Sequence, residues 1–265
     1  MLLTVQYDGT DFHGWQHQPG LRTVQSELGA AVEAMVHHPV TLYGSSRTDS
    51  GVHARALPVA FDTPRDIPPH GMLRGLNTFL PRDMGILDVT HQPLGFRPRE
   101  SAVAKTYTYR FQLGAARHPL TGRYAWLLRR RELDLDAMRE ASAELLGEHD
   151  FASFRASDCD AHTTQRRIFA IDLSGEDPTR LVTLTITGNA FLRNMVRILA
   201  GTLAEVGVRR RPPRWVGEAL RACDRRAAGP TAPAGGLTLT QVHFEGYPRL
   251  GKNVAVPAAG EETAC

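Results

Sequence analysis

The sequence predicts an α+β fold made of two similar mixed halves, each with antiparallel sheets flanked by helices, and a central cleft between them. Runs of alternating or β-branched residues are interspersed with amphipathic helical runs along the whole chain. The order of strand, helix and further strands is similar on both sides of residue 100, although no tandem repeat is present. We expect a ligand to bind in the cleft between the halves.

A change of sequence character near residue 100 sets the predicted domain limits. We place an N-terminal half at 1–100 and a C-terminal half at 101–250. The remaining segment, 251–265, is rich in Ala, Gly, Pro and Glu, and we expect a flexible tail there.

The N-terminal half is predicted to contain two helices and four strands. The first helix, at 23–36, has apolar residues at helical spacing, and Thr23 can cap it. The second helix, at 68–80, begins with prolines, whose missing N–H costs nothing in a first turn. The strands are predicted at 2–7, 40–44, 58–63 and 85–90.

The C-terminal half is predicted to begin with a long strand rich in β-branched and aromatic residues. Its first helix, at 133–147, is expected to end at Gly147, a residue suited to a C-cap. The other predicted helices span 191–207 and 212–223, and the strands span 101–113, 166–175, 181–188 and 236–244.

Composition narrows the class of protein. The chain has 265 residues, of which 42% are hydrophobic and 22% charged, as is typical of a soluble globular protein. No run of about 18 apolar residues predicts a membrane span. The first ten residues lack a basic leader and reach Asp8 too soon for a signal peptide, so we expect a cytoplasmic protein.

Few of the short motifs that mark metal or nucleotide sites are present. Cys159 and His162 have a ligand-like gap, but no second half-site with zinc spacing accompanies them, so we predict no metal. The sequence has no phosphate-binding glycine motif and no hydrolase elbow. An enzyme of this sequence would have to use carboxylate, arginine and tyrosine side chains.

Basic clusters lie at 129–131, 209–211 and 225–226, although the net charge is only +3. Such clusters suit a phosphate backbone, because binding there releases counterions. Solvated helix ends and loops explain any single cluster equally well. Three clusters in one chain modestly favour a nucleic-acid ligand.

The stretch GSSRTDSGVHA, at 44–54, places Arg47 and Asp49 among small turn-forming residues. A surface turn stabilised by an ion pair is the simplest interpretation. The alternative is functional, because a neighbouring guanidinium favours the charged carboxylate, which can act as a nucleophile or a base.

Two further features have both a structural and a functional interpretation. Tyr107 and Tyr109 share one strand face, as core residues or as a platform on which a base can stack. Arg193 and Arg197 are predicted to project together from one helix. Arg197 lies in apolar sequence and should pair with an acid, for which Asp49 is a candidate.

Six stretches are distributed over nearly the whole chain, namely YDGTDFHGWQHQPGLRTVQSEL, SRTDSGVHA, FRPRESAVAKTYTY, LLGEHDFASFRA, NAFLRNMVRILAGTL and GLTLTQV. Through these stretches the sequence resembles the TruA-type tRNA pseudouridine synthases over nearly its whole length. Six such stretches in the order and spacing of the family are very specific.

The resemblance implies the pseudouridine synthase fold and an isomerase that converts uridine to pseudouridine without metal, redox cofactor or ATP. It implies a homodimer acting on the anticodon stem-loop of tRNA, at family positions 38, 39 and 40. It places the catalytic aspartate on Asp49, and substrate-binding residues on Arg47, Tyr107, Arg197 and Leu237. Whether the aspartate attacks the sugar, attacks the base or removes a sugar proton stays open.

The sequence departs from the family pattern at three positions. Many members have Gly and Ala where this chain has Ser46 and Ser50, and a proline where it has Thr164. The serines are small, so we expect the loop to persist. Two alternatives remain, a non-catalytic RNA-binding protein and a structural protein without RNA binding, and the joint presence of Arg47, Asp49 and Tyr107 argues against both.

Overall fold

The computed structural model describes residues 1–116, 118–130, 132–159, 161–177 and 181–247. The predicted tail at 251–265 lies outside the described residues. The strands are β1 Leu2–Tyr7, β2 Tyr43–Gly44, β3 His53–Ala60, β4 Met84–Thr90, β5 Ala104–Leu113, β6 Trp126–Leu128, β7 Gly147–Asp150, β8 Gln165–Asp177, β9 Leu181–Gly188 and β10 Leu237–His243. The α-helices are α1 Val24–Val36, α2 Pro69–Phe79, α3 Pro98–Ser101, α4 Leu135–Ala143, α5 Met195–Gly207 and α6 Arg214–Ala222.

All the strands belong to one sheet, in the order β4-β1-β3-β10-β5-β9-β8-β7, with β2 beside β3 and β6 beside β5. Most neighbours are antiparallel, whereas β3–β10 and β5–β6 are parallel. The predicted α+β fold is confirmed. The separate sheets that we expected in the two halves instead form one continuous sheet. The division at residue 100 stays a prediction, because β10 pairs with a strand from each side of it.

Strand β10 determines which parts of the chain meet. It pairs Thr238 with His53 of β3, and on its other edge it pairs Leu239 with Tyr107 of β5. The loop that precedes β3 contains Asp49. That loop is therefore brought close to Tyr107, with only one strand between them.

The helices form where local sequence satisfies their ends. Thr23 and Ser26 make a capping box at the start of α1, with each side chain bonded to the other's backbone N–H. Helix α2 begins at Pro69, where a proline costs no hydrogen bond. The two helices pack together and α2 also packs on β4, whereas α4 and α5 pack on each other in the second half.

A single hydrophobic core extends through both halves. It includes Val5 and Leu28 from the first half and Phe111, Leu184 and Leu199 from the second. Burial of this apolar surface is the main source of stability for the continuous sheet. None of the helices in the described part of the chain combines the length and the apolar character of a membrane span.

Several predicted boundaries were wrong. Helix α4 ends at Ala143, and Gly147, with φ 96°, begins β7 instead of capping the helix. The strand predicted from residue 101 starts at Ala104, because 98–101 forms the short helix α3. Strand β3 begins five residues earlier than predicted, at His53.

Candidate active site

An open cavity of about 900 Å³ lies between the loop that precedes β3 and the second half of the sheet. The residues that the sequence predicted for a site all line it, namely Arg47, Asp49, Tyr107, Arg197 and Leu237. They come from positions up to 190 residues apart in the chain. The structure therefore brings the predicted site together.

The loop at 45–52 is anchored from both sides. Trp15 donates its backbone N–H to the Thr48 carbonyl at 3.0 Å, and the Thr48 hydroxyl bonds the buried Tyr7 hydroxyl at 2.7 Å. Gly51 has φ 78°, a conformation that favours glycine, and its N–H bonds the Phe12 carbonyl. These contacts hold Asp49 at the cavity wall.

The Asp49 carboxylate is two-thirds buried, with 33% of its side chain exposed. Burial raises its pKa above the ordinary value, and Asp158 acts in the same direction. Arg197 and Arg193 oppose this effect by favouring the charged form. Burial is the larger cause, so the ionised form of Asp49 is less stable than the ionised form of an exposed aspartate.

Arg197 is the cation that faces Asp49. Its Nη1 lies 3.7 Å from Asp49 Oδ2, as the sequence predicted for an arginine in apolar surroundings. It is held by hydrogen bonds from Nε to the Ala232 carbonyl and from Nη1 to Asn194 Oδ1, both 2.8 Å. The guanidinium is thus fixed by other partners, and the Asp49 oxygens remain available to a ligand.

Two expectations about the arginines were wrong. The side chain of Arg47 is exposed, and among the described residues it makes no ion pair, so the partner of Asp49 is Arg197 and not the adjacent arginine. Helix α5 starts at Met195, after Asn194 in the left-handed region. Arg193 therefore lies before the helix, where it pairs with Asp158 at 2.6 Å.

The two tyrosines of β5 have different environments. Tyr107 lines the cavity, although only 6% of it is exposed, and its hydroxyl lies 2.9 Å from Ser46 Oγ. Burial raises the pKa of Tyr107 to about 12. Tyr109 is fully buried and donates to the Pro233 carbonyl, so it is a core residue.

Leu237 contributes an apolar surface to the cavity. It is the first residue of β10, directly after a 3₁₀ turn at Ala234–Gly236, and it is 5% exposed. It pairs with Tyr109 across the strands. The position of Leu237 therefore depends on the insertion of β10 between β3 and β5.

Sequence reasoning missed several residues of the cavity wall. Lys105 lies two residues before Tyr107 on the same strand face, and this spacing could have identified it. Phe191 packs edge to face on Tyr107, with ring centroids 5.2 Å apart. Arg99 and Arg166 add positive charge to the wall. Among the described residues, no group of three or more His, Cys, Asp or Glu could hold a metal.

Those arginines of the three basic clusters that the structure describes lie outside this cavity, and several of them are paired with acids. Arg209 contacts Asp134 at 3.0 Å, and Arg210 contacts Glu205 at 2.9 Å. Arg226 contacts its near neighbour Asp224. These pairs support the structural interpretation of the two later clusters.

Comparison with known proteins places these residues in a family. The family model described as tRNA pseudouridine synthase matches residues 3–99 and 141–245. A tRNA pseudouridine synthase A from Geobacter sp. (strain M21) is 45% identical over 243 residues, which is 91% of this chain and 97% of the relative. Relatives of the same name from Citrifermentans bemidjiense and Myxococcus xanthus are 45% and 42% identical, over 92% and 94% of this chain and 96% and 93% of the relatives.

A solved structure, the archaeal box H/ACA sRNP Nop10-Cbf5 complex, is 12% identical over 91% of this chain and 48% of its own, with a TM-score of 0.36. That similarity is too low to support an argument. The two matched segments of the family model contain Arg47, Asp49, Arg197 and Leu237 of the cavity, whereas Tyr107 lies between them. The chain therefore belongs to the tRNA pseudouridine synthase family.

Proposed function

We propose that this chain isomerises uridine to pseudouridine in tRNA and that Asp49 is its catalytic carboxylate. The observation that supports this most strongly is the convergence of Asp49, Arg197, Tyr107 and Leu237 on one cavity. The relatives are named tRNA pseudouridine synthase A, and the chain aligns with nearly their whole length. Both observations favour the same chemistry.

The substrate we propose is a uridine of the anticodon stem-loop, at family positions 38, 39 and 40. A stacked base cannot reach a carboxylate inside a cavity, so the uridine must flip out, at a cost of a few kcal/mol. A cavity of about 900 Å³ has room for a nucleotide. Arg47, exposed at its wall, is placed to contact phosphate or to fill the vacated space in the stem.

The reaction breaks the bond from uracil N1 to the sugar and joins C5 to the same sugar carbon, with loss of the C5 proton and gain of a proton at N1. Product and substrate are isomers, so the atoms balance without a co-reactant. Asp49 would attack the sugar, attack the base or remove a sugar proton. Arg197 would keep the carboxylate charged against the effect of burial, and Tyr107 would contact the flipped uracil.

Tritium release from C5 tests this proposal. The protein is incubated with a tRNA transcript tritiated at uracil C5, and tritium in water and pseudouridine in digested RNA are both measured. We expect turnover by the wild type and none by Asp49→Ala, with tRNA binding retained. Asp66→Ala, which removes an exposed acid outside the cavity, is the matched control and should keep full activity.

Two results would count against the proposal. Asp49→Ala with near wild-type turnover would remove Asp49 from the chemistry. A folded wild-type protein that binds tRNA but releases no tritium from any transcript would favour the alternative, a non-catalytic RNA-binding protein. Its affinity would then depend on basic residues and salt alone.

Three further parts of the proposal rest on the sequence and its family resemblance, and not on contacts in the structure. The protein is a homodimer, which light scattering tests, and a monomer there would remove this part. It works in the cytoplasm, together with its proposed tRNA substrate. The halves 1–100 and 101–250 act as the two walls of the cleft, and limited proteolysis near residue 100 would show whether they separate.

A further inference from the structure

A chain of three side chains leads from the buried hydroxyl of Tyr107 to a cavity-lining amine. Tyr107 Oη lies 2.9 Å from Ser46 Oγ, and Ser46 Oγ lies 3.3 Å from Lys105 Nζ. Lys105 Nζ also donates to the Ser45 carbonyl at 2.8 Å. Ser46 is 7% exposed and Tyr107 6%, so water has little access to the inner part of this chain.

Tyr107 by itself is a poor proton acceptor. With a pKa of about 12, its phenol is neutral at ordinary pH and must lose its own proton when it accepts another. Among the described residues, Ser46 is the only hydrogen-bond partner of the Tyr107 hydroxyl. Any proton that leaves Tyr107 through a protein group must therefore pass to Ser46.

Lys105 is suited to receive that proton. Burial lowers the pKa of Lys105 to about 8, and the charges of Arg99 on α3 and Arg166 on β8 act in the same direction. No carboxylate among the described residues offsets these effects. The neighbouring strand β10 contributes a titratable group, His243, whose ring is hydrogen-bonded to the Thr106 hydroxyl. A fraction of the amine is thus neutral near pH 7 to 8, with a lone pair that can accept a proton.

We propose that Ser46 and Lys105 form a proton relay through which Tyr107 removes the C5 proton of the isomerised base. The inference rests on the proposed function, because it requires the uracil to lie against Tyr107. The C5–H bond breaks, and its electron pair forms the C5–C6 double bond while the C6–N1 π pair moves onto N1, which takes up a proton from water. The proton moves to Tyr107 Oη, the Tyr107 proton to Ser46 Oγ, and the Ser46 proton to neutral Lys105, which becomes an ammonium facing the cavity.

The other buried tyrosines lack such a path. Tyr109 donates to the Pro233 carbonyl, which has no proton to pass on. Within the described part of the chain, the Tyr7 hydroxyl bonds only to Thr48 Oγ1. Only Tyr107 of these three connects through a hydroxyl to an amine. The Ser46 side chain completes this connection, because its Oγ bonds both Tyr107 Oη and Lys105 Nζ.

The test uses single-turnover kinetics with tRNA carrying hydrogen or deuterium at uracil C5. Lys105→Arg keeps the positive charge, but a guanidinium stays protonated and cannot accept a proton. We expect C5 hydrogen release to fall by about 10²-fold, a typical loss for one proton-transfer group. The deuterium isotope effect should rise above that of the wild type, because C5–H cleavage becomes rate-limiting, while tRNA affinity should stay unchanged.

Ser46→Ala should give the same raised isotope effect, since its methyl group cannot pass a proton. The wild-type rate should rise with pH up to about 8, as Lys105 loses its proton, and the rise should be absent in Lys105→Arg. The relay is wrong if Lys105→Arg keeps the wild-type rate and isotope effect. It is also wrong if this variant loses tRNA affinity with an unchanged isotope effect, which would indicate an RNA-binding role. A wild type that makes no pseudouridine would instead overturn the proposed function.

Discussion

Arg197 Nη1 lies 3.7 Å from Asp49 Oδ2, while two shorter hydrogen bonds hold the same guanidinium to Asn194 and the Ala232 carbonyl. The arginine is therefore positioned without depending on the aspartate. It supplies charge to a carboxylate that burial makes reluctant to ionise, and it leaves the oxygens free. This arrangement suits a reacting group better than a structural ion pair.

Replacing Arg197 should change the pH dependence of activity. Arg197→Met removes the cation that offsets burial, so the pKa of Asp49 should rise further. Because activity requires the ionised carboxylate, the acidic limb of the pH–rate profile should move to higher pH. At neutral pH, activity should fall by about 10²-fold or more. Initial rates of pseudouridine formation measured from pH 5 to 9 would show this shift. Arg193→Met is the matched control and should shift the acidic limb less. Equal shifts in the two variants would contradict the assignment of Arg197 as the main cation facing Asp49.

Asp49→Asn should lower turnover and raise the stability of the folded protein. The folded pKa of Asp49 is raised, so the native state binds more protons than the unfolded state in the window above the ordinary value of 3.8. Stability contributed by the protonated group is therefore lost as pH rises through the folded pKa. The neutral amide avoids this loss and should raise the thermal midpoint at pH 7, while turnover falls by about 10⁴-fold or more. A lower midpoint than wild type, with intact folding by circular dichroism, would contradict the prediction.

Acidification should destabilise the protein through His53. This residue is 4% exposed, its Nδ1 accepts from the Gly9 N–H at 3.0 Å, and its Nε2 faces the Gly235 carbonyl at 3.1 Å. Asp8 Oδ1 lies 3.1 Å from the same Nδ1 and would favour the charged ring, but burial is the larger effect and lowers the pKa of His53.

The unfolded state therefore binds more protons than the native state below the ordinary pKa of 6.5. The stability from the neutral ring is present above pH 6.5 and is lost as pH falls toward the lowered folded pKa. Urea unfolding from pH 5 to 7.5 should show this slope in the wild type and a smaller one in His53→Gln. Equal slopes in both proteins would remove His53 from the acid response.

Gly14 should matter for activity because of its contact with the Asp49 loop. It has φ 84°, and a Cβ there would lie 2.7 Å from the Thr48 carbonyl oxygen, one residue before Asp49. Gly14→Ala should cost about 1–2 kcal/mol for its left-handed backbone and more for the collision. It should also lower turnover by displacing Asp49.

Gly20→Ala is the matched control for this substitution. Gly20 has φ 75°, but nothing lies within 4 Å of the added Cβ. It should show the backbone cost and keep its turnover. Chemical denaturation and tritium release measured on both variants separate the two effects. Equal turnover losses would mean that the contact with Thr48 does not position Asp49.

Local features of the fold were predictable because short-range physics controls them. The Thr23 cap, the prolines at the start of α2 and the shared face of Tyr107 and Tyr109 all follow from neighbouring residues. Boundaries were less predictable. Gly147 serves as a strand start and not as a cap, because β7 pairs with β8 about 20 residues later. Arg193 lies outside α5 because Asn194 takes a left-handed conformation before the helix begins.

The sequence by itself determined the composition of the candidate site, since Asp49, Tyr107, Arg197 and Leu237 all lie in stretches that resemble one family. The tertiary structure decided how they act together. Insertion of β10 between β3 and β5 brings the Asp49 loop near Tyr107. Long-range packing also makes Arg197 rather than Arg47 the partner of Asp49 and brings Lys105 to Ser46. Such contacts join residues 59 to 148 positions apart. They depend on strand pairing and core packing, which no local pattern specifies.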